Sequence, residues 1–306
     1  MKFLIVLPNN PYFLWQMLVQ INNFRRYGFE EDLVYVVGNT NKEGERILQK
    51  IINSGLCNCQ FYIYNDTRKN SRYPSSLRPH LLSKFFNEHP YMSDEVFFYT
   101  DPDVLFTKKI DFTKYEHDDV WYLSDTISYI GANYVKSKGD KLLDEMCDIV
   151  NISREVVENN QQNSGGAQYV LKNVNAEYWD KVYNDCESLY IHMDKTSNIY
   201  TPNHPIQKWT ADMWAVLWNA WYFGNETRIV NEFDFAWATD HINKWEKCSI
   251  FHNAGVVSAE NKKFFSKIAH QKSPFNKELS ADENNCSYKY IQEIKDTENN
   301  FREILF

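Results

Sequence analysis

Through the first hundred residues, short apolar runs alternate with longer amphipathic ones. Residues 3–7 read Phe-Leu-Ile-Val-Leu, an unbroken apolar run that predicts a buried strand. Residues 12–26 have helical spacing, and Gly28 supplies a stop. A second strand is predicted over 33–37. Residues 43–53 place Ile47, Leu48, Ile51 and Ile52 on one helical face, with Gly55 behind them. Residues 60–64 form a third strand. The stretch SSLRPHLLSKFF reads as a helix with Ser75 or Ser76 near its cap. An apolar, β-prone strand over 95–100 follows. Such alternation predicts an α/β fold with parallel strands covered by helices. In such sheets ligands bind beyond the carboxyl ends of the strands.

The second half is less regular. It predicts a strand over 120–123, a helix over 138–150 and a polar loop around 159–168 feeding a short strand. Helices follow over 176–190 and 206–223, then a strand within CSIFHNAG and a helix over 286–305. There is no internal repeat and no linker to mark a boundary. The 306 residues suit one large domain. The net charge of −8 gives non-specific nucleic-acid binding no support. Aromatic residues reach 16%, enough for a large aromatic core with some rings left for stacking on bases or sugars. Six scattered cysteines fit reduced thiols in a cytoplasmic protein. The amino-terminal apolar run is too short for a signal peptide, and no run is long enough to cross a bilayer.

The chemistry concentrates at a few places. Asp101 and Asp103 flank Pro102 where the 95–100 strand ends, and two carboxylates this close need a positive partner. A hard divalent cation, Mn²⁺ or Mg²⁺, takes such oxygen ligands. His252 also follows a strand and would complete the shell. Gly255 lets the backbone approach a phosphate, and Lys262 and Lys263 would neutralise its charge. Neither a dinucleotide-binding nor a P-loop glycine pattern is present, so a bound diphosphate would need the metal. Pro8, Asn9 and Asn10 follow the first strand and are expected at the base site, with Arg78 at the ribose or diphosphate. Ser164, Gly165, Gly166 and Gln168 are expected to hold the sugar. Asp212 lies in WTADMWAVLW, where Trp209 and Trp214 suit an acceptor ring.

These features resemble metal-dependent glycosyltransferases of the GT-A fold. The DPD triplet resembles their DxD motif. His252, Gly255 and a following lysine are similar to their carboxyl-terminal His-x-x-Gly element, though the lysine is more distant here. Arg78-Pro79 before the DPD strand, and Trp209 with Asp212-Met213-Trp214, resemble the hydroxyproline O-arabinosyltransferase and peptidyl-serine galactosyltransferase group. That group has Glu where this chain has Asp212. The resemblance runs loosely over residues 3–265. It implies a Rossmann-like mixed sheet flanked by helices in a single domain over 1–270. A nucleotide-binding half would cover about 1–110 and an acceptor half about 111–270, with a helical extension over 271–306. It also implies a UDP-sugar donor, a pentose or galactose, and retention of configuration, with Asp212 and Gln168 in the chemistry. No membrane anchor like that of those relatives is expected here. An Asn-, Lys-, Tyr- and Phe-rich chain fits a virus or an AT-rich bacterium. Candidate acceptors are therefore hydroxymethylated phage DNA, protein hydroxyls and glycans. Two other readings are a haloacid-dehalogenase-type phosphatase, which also uses Asp-x-Asp after a strand, and a non-catalytic nucleotide-sugar binder.

Overall fold

The structure is a computed structural model that describes residues 1–69, 71–256, 258 and 263–305. Two compact units are interleaved along the chain. The terminal unit, named for its place in the sequence, holds Lys2–Asn65, Thr100–Asp111 and Glu232–Phe306. The central unit holds Met1, Asp66–Tyr99 and Phe112–Asn231. Among the described residues the strands are β1 Lys2–Pro8, β2 Leu33–Asn39, β3 Gln60–Asn65, β4 Phe97–Thr100, β5 Val104–Phe106, β6 Trp121–Asp125, β7 Gly165–Leu171, β8 Thr227–Ile229, β9 Phe235–Trp237 and β10 Ile250–His252.

In the terminal unit β1, β2 and β3 pair in parallel, with Ile5 beside Tyr35 and Tyr35 beside Phe61. β1 and β2 are apolar on both faces because both are covered, as parallel strands require. The helix Pro11–Tyr27 starts where the Asn10 side chain accepts from the Phe13 amide at 3.1 Å. It stops at Gly28, whose φ of 80° is the left-handed conformation that glycine tolerates. Phe3, Phe24, Phe29 and Phe106 form one aromatic cluster, with centroids 4.6–6.5 Å apart. A second sheet sets β10 antiparallel to β5 and parallel to β9. The helix Cys286–Asn300 packs on Pro11–Tyr27, burying Tyr290, Ile291 and Ile294.

In the central unit β7 lies between β4 and β6, antiparallel to both, and β6 pairs in parallel with β8. Trp121, Trp179, Trp214 and Trp218 are fully buried. Two of them satisfy their indole N–H on backbone carbonyls, Trp121 on Lys172 at 3.0 Å and Trp214 on Ile130 at 2.8 Å.

Several elements depart from the sequence expectation. The helix expected over 176–190 runs as Ala176–Tyr200, because Leu189 and Met193 keep its inner face buried and no proline interrupts it before Pro202. Ser76 occupies the N-cap position of the helix Leu77–Glu88, as expected, but its side chain makes no capping bond. The chain enters through a 3₁₀ turn, Pro74–Ser76, and the Ser76 hydroxyl donates to the Tyr73 carbonyl at 2.8 Å. The helices Ile127–Ile130 and Ala132–Lys138, and the three-residue β5, are too short for periodicity to reveal. All six cysteines are free thiols. Among the described residues no helix is long and apolar enough to cross a membrane.

The buried carboxylate of Glu30, paired with the half-exposed Arg25, makes the terminal unit acid-sensitive. Arg25 donates to both oxygens of Glu30, each at 2.7 Å, and the Asn58 amide donates at 3.0 Å. Burial would push the Glu30 carboxyl up, but these donors outweigh it and hold it below its ordinary value. A depressed carboxyl stabilises the fold above its unfolded pKa, about 4.3, and loses that contribution as pH falls through the folded value. Glu30→Gln is expected to cost about 1–3 kcal/mol near neutral pH. Its stability should also fall less than the wild type's between pH 5 and 3, as urea melts at each pH would measure.

Candidate active site

The strand β4 leads into a turn in which the Val104 amide donates to the Asp101 carbonyl at 3.3 Å, with Pro102 fixing φ inside it. Buried amides on the helix Pro11–Tyr27 hold this turn. Gln20 donates to the carbonyls of Asp101 at 2.8 Å and Val104 at 3.1 Å, while accepting from the Tyr35 hydroxyl at 2.9 Å. Asn23 accepts from the Phe106 amide at 2.8 Å and donates to its carbonyl at 3.0 Å. Just after β10, the Asn253 amide donates to the Asp103 carbonyl at 3.0 Å. His252 sits opposite Val104 on one side and Trp237 on the other. The Trp237 ring stacks on the imidazole at 5.7 Å and 14°.

This framework gathers Asp101, Asp103 and His252. One ligand atom from each lies within 4.8 Å of the others. His252 Nε2 is 3.4 Å from Asp103 Oδ1 and 3.7 Å from Asp101 Oδ2. A cation with bonds near 2.1 Å sets neighbouring ligand atoms roughly 3–4 Å apart, so these donors fit a small divalent ion. The chemistry fits a divalent cation too, since carboxylate oxygens and an imidazole are both common ligands of such ions. The Asp103 side chain is nearly buried and that of Asp101 is 30% exposed, so the cluster has one open side.

A residue the sequence reading missed completes the cluster. Lys267 donates to Asp103 Oδ2. Burial would push the Asp103 carboxyl up, but the Lys267 ammonium and His252 outweigh it and hold it well below the usual carboxylate range. Burial likewise opposes the Lys267 charge, and Asp103 outweighs that in turn. Lys263 is placed over the Phe264 ring at 5.5 Å. Lys262 lies outside the described residues. Gly255 has φ of 90° and needs to be glycine for its backbone.

The side chains of Asn9 and Asn10, just after β1, are engaged within the fold. Asn9 is buried. Its side chain accepts from the Thr40 and Asn41 amides, both at 2.9 Å, and donates to Asn39 Oδ1 at 2.8 Å. Asn10 is the helix cap already described. Pro8 ends β1 and is half-buried.

The central unit presents a second arrangement. Asp212 lies in the first turn of the helix Ala211–Tyr222 and is buried. Arg78, from the first turn of Leu77–Glu88, donates to its Oδ2. The buried Tyr73 hydroxyl donates to Oδ1 and also lies 2.5 Å from the Trp209 carbonyl. Burial and the Asp212 charge push the Tyr73 phenol well up, keeping it a donor. Glu187 anchors the Tyr73 loop, accepting from the Ser71 hydroxyl and the Arg72 amide. Arg78 was expected at a ribose or diphosphate; in the structure its guanidinium is turned to Asp212.

The stretch expected to hold a sugar is packed into the sheet. Gln168 is fully buried and accepts from the Ser124 hydroxyl at 2.6 Å. Ser164 is buried and donates to the Asn160 carbonyl at 3.3 Å. A Cβ at Gly165 would meet Leu123 Cβ at 2.5 Å, and one at Gly166 would meet Met213 Cε and the Tyr169 hydroxyl at 2.8 Å. The close approaches there are made by the protein itself. The approach at Gly166 lets the helix Ala211–Tyr222 rest on β7 through Met213, one residue from Asp212. Trp214 is not an acceptor surface: its ring is fully buried and its N–H is spent on Ile130. Trp209 is 61% exposed and open to a ligand.

No protein-family model matches the chain, and no curated protein matches it. Solved structures do. An apo structure of the bifunctional glycosyltransferase WbbM aligns with a TM-score of 0.53 at 12% identity, over 99% of this chain and 51% of that one. The galactosyltransferase LgtC, in complex with donor and acceptor sugar analogues, aligns at 0.47 and 9% identity over 99% of this chain and 100% of that one. Mouse xyloside xylosyltransferase 1 aligns at 0.40 and 12% identity over 82% and 97%. This chain spans about half the length of WbbM. The α/β arrangement expected from the sequence, with mixed strands flanked by helices as in GT-A glycosyltransferases, is the fold this chain has.

Proposed function

We propose that the protein is a metal-dependent glycosyltransferase that moves a sugar from a nucleoside-diphosphate donor to a hydroxyl acceptor. The observation that carries this reading is the Asp101–Asp103–His252 cluster, gathered beyond a strand end in a chain of this fold. Asp101, Asp103 and His252 would hold Mn²⁺ or Mg²⁺. A divalent ion supplies charge to offset the negative charge developing on a departing diphosphate. The backbone after β1, at residues 8–10, and Gly255 after β10 line the donor site in this reading, which assigns the donor to UDP.

Asp212 acts toward the acceptor hydroxyl. Both its oxygens already have donors, Tyr73 and Arg78. That suits a group that orients and stabilises positive charge rather than one that takes up a proton, which supports retention of configuration with the diphosphate as proton acceptor. Exposed Trp209 offers an apolar ring face for the acceptor sugar or base. The donor sugar is a pentose or galactose, and the acceptor is a protein hydroxyl, a glycan or hydroxymethylated DNA.

A panel of UDP-sugars incubated with enzyme and Mn²⁺ tests this. At least one donor should be hydrolysed to UDP, with the activity lost in excess chelator. That donor then serves to screen acceptors. Nucleotide binding without hydrolysis or transfer of any donor would replace this reading with that of a binding protein.

A further inference from the structure

Lys267 is held by a built turn. It opens the 3₁₀ turn Lys267–Ala269. Before it, the Phe265 amide donates to Ser287 Oγ at 3.0 Å, and the Phe265 ring is buried. After it, the His270 carbonyl accepts from the Trp15 indole at 3.0 Å, and the His270 ring stacks on Phe265 at 5.1 Å and 8°. The lysine side chain is 22% exposed and that of Asp103 is 4% exposed. The ammonium is therefore positioned from both sides against the one almost buried carboxylate of the cluster. Asp103 divides its oxygens, with Oδ2 on Lys267 and Oδ1 toward His252.

We propose that Lys267 is a resident counter-cation that holds down the affinity of the cluster for a free divalent ion until an anionic ligand adds negative charge. The inference rests on the metal reading of Asp101, Asp103 and His252. A ligating imidazole is neutral, so two carboxylates and one ammonium leave a single negative charge to attract a dication. In a partly desolvated site the ammonium opposes an incoming dication directly, and Coulomb repulsion at such separations is large. It also engages one of the two oxygens of the best-buried ligand. A diphosphate brings the negative charge that the cluster lacks and offers the ammonium a second partner. Metal and diphosphate then favour each other's binding, and by linkage the factor is the same in both directions. The device keeps the site from filling with metal alone.

Loss of the free Mn²⁺ signal in electron paramagnetic resonance measures metal affinity without nucleotide. Chelator-stripped wild type, Lys267→Met and Lys267→Arg are compared. Methionine keeps much of the length and removes the charge; arginine keeps the charge. Lys267→Met should bind Mn²⁺ about tenfold more tightly than wild type, within the usual range of couplings between sites. Lys267→Arg should stay near wild type. The UDP-dependent gain in Mn²⁺ affinity should be larger in wild type than in Lys267→Met. Equal or weaker Mn²⁺ binding by Lys267→Met, with an unchanged circular dichroism melt, would overturn the proposal, because the lysine would then brace Asp103 for the ion. Calorimetry with UDP on Mn²⁺-saturated wild type separates the two readings. If UDP fails to bind there, the nucleotide reading falls, while the metal-only comparison still decides the role of Lys267.

Discussion

Asp103→Asn is expected to abolish sugar transfer, by roughly a thousandfold or more, and to remove Mn²⁺ binding at concentrations that saturate the wild type. Asp103 is the cluster residue most completely withdrawn from water, and its backbone is tied to Asn253, the residue after β10. An asparagine keeps the shape and one carbonyl oxygen, so Lys267 retains an acceptor and the turn retains its Gln20 contacts. What disappears is the charge that a hard cation requires. His252→Ala should weaken Mn²⁺ less, since an imidazole contributes no charge. Transfer, Mn²⁺ titration and a thermal melt on the same preparations separate loss of the site from loss of the fold. Full wild-type transfer in excess chelator would sink the metal reading whatever the variants do.

Asp212→Asn is expected to keep UDP affinity within about twofold while transfer falls by two orders of magnitude or more, the scale on which a single electrostatic group acts. The variant preserves volume and the Tyr73 hydrogen bond but removes the anion facing Arg78. The exchange should also cost stability, on the order of 1–3 kcal/mol, because a buried ion pair is being broken from one side. Buried ion pairs are common as plain structure, so stability alone decides nothing. The decisive comparison is UDP affinity against transfer rate on one preparation. If transfer stays near normal, Tyr73, Asp212 and Arg78 are packing, and the Asp212 role is withdrawn.

The local pattern of this sequence determined its strands and helices wherever the repeat was long. The alternation over residues 3–64 announced the parallel strands β1 to β3, and Gly28 marked the end of a helix, while the capping role of Asn10 at its start emerged only in the structure. Asp101 and Asp103 were legible as a pair because two carboxylates one residue apart need explaining by themselves. His252 was legible because it closes an apolar run. Their meeting was not. It depends on β10 pairing with β5, about 145 positions away in the chain, and β5 is a three-residue strand with no periodicity of its own.

Gln20 and Asn23 show the same limit. The sequence displays them as polar interruptions of a helix, and only the fold reveals that each satisfies the backbone of residues 101–106. Nearness to His252 in the chain points to Lys262 and Lys263 and not to Lys267. The turn from Phe265 to His270, anchored on Trp15 and Ser287, is what carries it to Asp103. The glycines at 165 and 166 and the ring of Trp214 were read as open to a ligand, since composition does not show which face of an element is covered. Burial did, by filling those spaces with Leu123, Met213 and Tyr169. Residue type and short spacing determined which chemistry this chain carries. Long-range pairing and burial decided which of those groups meet, because both depend on contacts between segments far apart in the sequence.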